Sequence, residues 1–417
     1  MKPTCALLAL LALLAACAPA ERPDRSGTTT ATPAPSRTRT TVAVDDGRLL
    51  VNGTPTTLFG FRVASAAMRD DWTEQLIAQL DTWRDHGVNS FTVWLQGSSG
   101  GYARVFTRDG TAIDDAEQEV TSIVGFDDDA DHTANGTTTG TAVVERTRRI
   151  IEAADARGMV VIVGLFYGSA VEDDTPETLA AAARTGAAAL RDYSNVIFNV
   201  FNEPDLSEEL TSQRSLEEYL AAVKEAAPGR LVGTGSVELD DTEEIAELDD
   251  VDVVLHDAGA DGDEAIDAFE ELTDHTGKPV VNVESFGGSG QGFVDEPPAT
   301  PAREGHYVDF PGWRRIYGAW RTEDSASGSG GAVAGKDSYL RLIDYVGRHP
   351  DKRVHLMVHV AGWFQGASRV GTADHLGEPS TPNRWNNIFD VGPGAADGTP
   401  AHPGIRWILE RIAAHTR

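Results

Sequence analysis

From residue 42 onward, short apolar runs alternate with amphipathic stretches. Runs of four to eight β-branched or aromatic residues read as strands, and a strand covered on both faces loses its alternation and becomes almost wholly apolar. Met159–Phe166 is such a run. A hairpin comes first, Val42–Val44 and Leu49–Val51 around the turn pair Asp46-Gly47. Eight strands follow: Leu58–Val63, Val88–Leu95, Met159–Phe166, Asn195–Asn202, Leu231–Gly235, Val251–His256, Pro279–Glu284 and Val354–Val360.

Helical signals fill the gaps. Leu76, Ile77, Leu80 and Trp83 share one helical face, with Asp71 and Glu74 marking its start and Gly87 its end. A second helix spans Ala142–Ala156, and Thr175-Pro176 opens a third with proline in its first turn. Ser215 and Glu218 form a capping box for a helix that Pro228-Gly229 ends. Glu238 and Asp240-Asp241 read as caps and dipole partners of the next. A closing helix runs from near Pro403 to near His415.

Eight strand–helix alternations predict an α/β fold of the (β/α)8 TIM barrel type, a single domain over 42–417. A doubly wound sheet would carry a glycine-rich phosphate turn after an early strand, and none is present. Two connections are too long for plain links, Gln96–Thr139 after strand two and Phe286–Gly335 after strand seven. Both leave C-terminal strand ends, where such barrels build their sites, so they are expected to wall a cleft.

Composition narrows the partners. The chain of 417 residues has 65 acidic against 35 basic side chains and a formal net charge of −30. This argues against nucleic-acid binding, which needs a basic face, and against docking on anionic lipid through a polybasic surface. With 41% hydrophobic residues the chain can build a large core. Residues 1–16 have the charged start and short apolar run of a signal peptide, too short to span a bilayer. The segment Leu14-Ala15-Ala16-Cys17 resembles the lipobox of bacterial lipoproteins, which implies lipidation at Cys17. Residues 17–41 then form a Thr/Pro-rich tether, and the protein is held extracytoplasmically on the cell membrane by its lipid alone. An ordinary secretory signal is the other reading. Once Cys5 is removed with the signal, no pair remains for a disulfide.

Two strand ends carry the chemistry. Strand four ends Asn202-Glu203-Pro204, and strand seven ends Glu284-Ser285-Phe286. Converging carboxyls at the rim of a closed barrel suit cleavage of a glycosidic bond, with one protonating the leaving oxygen and the other attacking the anomeric carbon. The first must then be held protonated and the second ionised. Asn-Glu-Pro ending strand four, with a second glutamate ending strand seven, resembles the clan A glycoside hydrolases, including the cellulase-like family 5 enzymes.

That resemblance implies a retaining hydrolase of β-linked glucans or mannans, with Glu203 as acid/base and Glu284 as nucleophile. Asn202 can bond the 2-hydroxyl of the sugar under attack. Trp363, after strand eight, sits where clan members place an aromatic platform, and His256 ends strand six, where relatives often carry a histidine. Trp94, ending strand two, is a further candidate sugar contact, and Arg62, at the end of strand one, is a candidate to orient the nucleophile. Two positions depart from the family pattern. Ala258 stands where a tyrosine is usual, and Phe166-Tyr167 where strand three usually ends in histidine, which makes Tyr167 a candidate replacement contact.

No cofactor or metal is expected: the histidines lack ligand spacing, and Asp127-Asp128-Asp129 with Asp131 lacks the glycine and final glutamate of an EF-hand loop. The expected partner is an oligo- or polysaccharide met by a monomer. Two readings compete with the enzyme: a non-catalytic carbohydrate-binding lipoprotein that keeps the barrel, and a two-lobed solute receptor.

Overall fold

In the computed structural model eight parallel strands close on themselves, each one hydrogen-bonded to its neighbours around the ring. The described residues are 39–63, 66–67, 70–95, 140–167, 175–204, 210–257, 262–285, 336–358 and 406–417. The ring strands are β4 (Phe59–Arg62), β5 (Ser90–Trp94), β6 (Val160–Tyr167), β7 (Val196–Asn202), β8 (Leu231–Gly235), β9 (Val253–His256), β10 (Val280–Ser285) and β11 (Val354–Val358). Each falls within or close to an expected run, and the order round the barrel follows the chain, with β11 pairing back to β4. This is the (β/α)8 barrel that the apolar runs predict.

The pleat sorts the side chains into two cores. Val160, Ile162, Ile197, Leu231, Val253, Leu255, Val281, Val283 and Met357 fill the barrel, while alternate residues such as Val161, Phe198, Val254 and Val280 join a second cluster with the helices outside. Period-two alternation inside strands that read as continuous apolar runs is what burial on both faces requires.

The leading hairpin is the floor of this barrel. Strands β1 (Val42–Asp45), β2 (Arg48–Val51) and β3 (Thr54–Pro55) pair antiparallel, and Val42 and Leu49 pack into the same cluster as the barrel interior. Asp46 and Gly47 both take positive φ, 47° and 69°, as the tight turn demands. The chain entering the hairpin is already fastened. Thr40 N–H donates to Asp155 Oδ1 at 2.6 Å, and Val42 N–H to the Ser194 carbonyl at 3.0 Å. The compact unit that holds the barrel includes these residues from Arg39 onward.

The helices are α1 (Asp70–Asp85), α2 (Gly140–Asp155), α3 (Pro176–Leu190), α4 (Gln213–Ala226), α5 (Leu239–Ala246), α6 (Gly262–Thr276), α7 (Lys336–Arg348) and α8 (Arg406–Thr416). Thr175 caps α3 as expected, accepting from Thr178 N–H. Two local expectations are corrected. The cap of α4 is Ser212, because the helix begins earlier and Ser215 is buried within it, its N–H donating to the Ser212 hydroxyl. Glu238 stands at the N-cap of α5 but makes no side-chain cap bond, and Asp240 and Asp241 occupy the first turn. The closing helix α8 is described from Arg406, and Pro403 lies outside the described residues. The long connections Gln96–Thr139 and Phe286–Gly335, the Asp127–Asp131 run, and residues 1–38 with Cys17 lie outside the described residues.

Candidate active site

At the mouth of the barrel, strand β7 delivers Asn202 and Glu203 through an irregularity. Its register against β8 shifts between Asn199 and Asn202, so that Val200 and Phe201 both join the outer cluster before Asn202 turns toward the interior. Bulges of this kind re-aim a side chain at the rim of a barrel. Glu203 then adopts φ +48°, a left-handed conformation that costs a non-glycine residue roughly 1–2 kcal/mol. It is 7% exposed. Strain held at a buried carboxyl on a strand end is a mark of a functional position.

Strand β10 repeats the device. Its register against β11 shifts between Asn282 and Ser285, and Glu284 lies inside that irregularity. The two glutamates thus sit at the ends of strands three places apart around an eight-membered ring, Glu203 just past a register shift and Glu284 within one. The Glu284 and Tyr167 side chains, together with Trp363 and Ala258, lie outside the described residues.

Arg62 crosses the mouth. It ends β4, fully buried, with its guanidinium carbon 4.5 Å from the centre of the Trp94 ring and Nη1 3.5 Å from Asn202 Oδ1. Arg62 is thus an interior cation that faces the acid-bearing strand. Trp94 is equally buried, and its ring lies against Gly164 of β6, where a Cβ would come within 2.2 Å of the indole. The indole thus lies between the guanidinium of Arg62 and the backbone of β6.

His256 turns outward. Its Nδ1 lies 3.0 Å from the Ser236 carbonyl and 3.1 Å from the Thr242 hydroxyl of α5, which ties the end of β9 to the β8–α5 turn. Its successor, Asp257, was not among the expected residues. Val253 and Leu255 face the barrel interior, so the alternation carries Asp257 to the inner side, where it is buried and its N–H donates to the Ser236 carbonyl. Asn199, two residues after the inward Ile197, is a second buried polar residue on that side. Period two, counted from the inward residues of each strand, finds both. Phe166 faces the other way, its ring 5.9 Å from Phe201 and 6.1 Å from Tyr219 of α4, so this departure from the family pattern belongs to the outer core. Among the described residues, no group of three or more His, Cys, Asp or Glu could hold a metal ion.

A family model for cellulase, glycosyl hydrolase family 5, matches residues 51–252, a span that covers just under half of the chain and stops short of β10. A comparison with curated proteins found no match. Among solved structures, one described as a glycoside hydrolase is 14% identical with a TM-score of 0.51, the match covering 84% of this chain and 73% of that one. A mutant of the family 5 mannosidase of Rhizomucor miehei is 11% identical with a TM-score of 0.51, covering 91% and 97%. A family 5 glycoside hydrolase of Bacteroides vulgatus is 15% identical, with a TM-score of 0.49, covering 78% of this chain and 62% of that one. The chain thus spans less than two thirds of that protein's length. At these identities the likeness is one of fold.

Proposed function

We propose that this chain, a cellulase-like clan A protein of the glycoside hydrolase family 5 type, hydrolyses β-linked glucans or mannans by double displacement with retention of configuration. The observation that carries the reading is the strained, buried Glu203 at the end of β7, paired around the ring with Glu284 at the end of β10. Glucan and mannan are the substrate classes because the matching family is named for cellulase, and a mannosidase shares the fold.

In the first step Glu203 gives its proton to the glycosidic oxygen while the Glu284 carboxylate attacks the anomeric carbon. The C–O bond to the leaving sugar breaks and an ester to Glu284 forms. Glu203, now ionised, takes a proton from water, which attacks the same carbon and frees Glu284. Direct attack requires the two carboxyls to lie about 5–5.5 Å apart. The Arg62 guanidinium adds fixed positive charge at the mouth, and Asn202 supplies an amide for the 2-hydroxyl of the sugar.

The deciding experiment follows the anomeric protons by NMR while purified protein digests β-glucan and β-mannan oligosaccharides. The first product should be the β anomer. An initial α anomer would exclude double displacement, and binding without cleavage would turn the reading to a non-catalytic carbohydrate-binding protein. From Leu14-Ala15-Ala16-Cys17 we further propose that the protein is anchored outside the cytoplasm by lipid on Cys17.

A further inference from the structure

The Asn202 amide can present either its oxygen or its nitrogen to a ligand, and the two edges are chemically opposite. A guanidinium has five donors and no acceptor. The edge that faces Arg62 at 3.5 Å is accordingly Oδ1, which turns Nδ2 away from the cation. Nδ2 is buried and meets no acceptor among the described residues. Asn202 is thereby set to donate, and the residue after it is Glu203.

Arg62 could not set this rotation unless it were itself fixed. A free arginine side chain has many rotamers, and holding it in one costs entropy. Here its head lies 4.5 Å from the centre of the Trp94 ring. A buried cation is attracted to the face of an indole, and that attraction restricts the head. Trp94 in turn has one place to be. Its ring is fully buried and lies against the bare backbone of Gly164, where a methyl group would stand 2.2 Å from it. Four residues on four strands, Gly164 of β6, Trp94 of β5, Arg62 of β4 and Asn202 of β7, make one chain of contacts across the mouth.

We infer that Trp94 is a positioning residue: it fixes Arg62, Arg62 fixes the rotation of the Asn202 amide, and Asn202 therefore offers a donor to the 2-hydroxyl of the sugar at Glu203. This rests on the proposed glycosidase reading. It also gives Trp94 a role in which the indole never touches the sugar.

The test compares an aryl β-glycoside with its 2-deoxy analogue, as a ratio of kcat/KM, in wild type, Trp94→Leu and Trp94→Phe. In the wild type, loss of the 2-hydroxyl removes the Asn202 contact. In Trp94→Leu the same deletion should cost at least tenfold less, because the contact is already gone, and Trp94→Phe, which keeps a weaker face, should fall between. Gly164→Ala, which displaces the indole without removing it, should shift the ratio in the same direction and covers the case in which Trp94→Leu fails to fold. A slower Trp94→Leu enzyme with an unchanged 2-deoxy ratio would overturn the inference, since a merely structural tryptophan would slow both substrates alike. A second readout needs no turnover. The Arg62 Nε–H resonance should be displaced by the indole ring current in wild type and return in Trp94→Leu, with the Asn202 side-chain amide protons moving in step. Absence of cleavage with these shifts present would sink the glycosidase reading and leave the device standing, whereas an undisplaced Arg62 resonance would sink the device whatever the activity.

Discussion

The Nδ1 atom of His355 accepts the backbone N–H of Leu58 at 3.0 Å. This bond joins the last barrel strand to the residue before the first and so helps to close the ring. The imidazole is buried, and its Nε2 has no partner among the described residues. Burial pushes its pKa down to about 3 from the usual 6.5, because a charged ring there would be desolvated.

The neutral ring therefore ties stability to pH. The folded-state pKa lies below that of the unfolded chain, so the contribution is complete above about pH 6.5 and is lost progressively as the pH falls toward 3. His355→Asn keeps an acceptor for Leu58 N–H and cannot be protonated. The variant should be less stable at pH 7, where it leaves a gap, yet its melting temperature should fall less steeply from pH 6.5 to 4. A slope identical to that of wild type would remove His355 from the acid response.

Asp344 of α7 secures the C-terminal helix. It receives bonds from Arg411 Nε at 2.5 Å and His415 Nε2 at 2.8 Å on α8, with Arg348 of its own helix at 3.1 Å. Burial alone would raise its pKa, but the bonds from Arg411 and His415 outweigh this and hold it below the usual carboxylate value. Asp344→Ala should cost about 1–3 kcal/mol in urea unfolding and expose Arg411 to trypsin. The carboxylate's contribution is present above about pH 4 and fades as the pH drops below it, so acid should reproduce the defect. An unchanged midpoint and digestion pattern would mean that α8 is held by its apolar face alone.

The two glutamates should fail in different ways. Glu203→Ala lacks the proton donor and should lose about 10²–10⁴-fold on glycans, while an aryl glycoside with a good leaving group still reacts in its first step. Added azide should then complete turnover and yield the β-glycosyl azide. Glu284→Ala can form no glycosyl ester and should be inactive on both kinds of substrate. Near-normal turnover in either variant would take that residue out of the mechanism.

Lipidation is tested by Cys17→Ser, which should block acylation and move the protein from the detergent phase to the aqueous phase on partitioning. A wild-type protein that is unacylated and begins at another residue would exclude the anchor.

Much of the barrel was legible because each strand must be covered on both faces, and that requirement writes continuous apolar runs such as Met159–Phe166 into the chain. The glutamates were legible because C-terminal strand ends are where such a barrel gathers its chemistry. His256 and Trp94 were harder. Their positions at strand ends are visible in the sequence, but not which side of the strand each takes, and it is this that hands His256 to Thr242 and Trp94 to Arg62. Asp257 follows from the same alternation, since counting in twos from the inward Val253 reaches it.

The sequence by itself determined the succession of strands and helices and the strand ends that bear Glu203 and Glu284, since local periodicity and turn chemistry depend only on neighbours a few residues away. Closure of the ring decided the rest. The register shifts at the two glutamates arise from pairing with β8 and β11, and the contact between Arg62 and Asn202 joins residues that only a closed barrel brings within 3.5 Å. Such contacts are set by strand register and barrel curvature, and no local pattern in the chain records them.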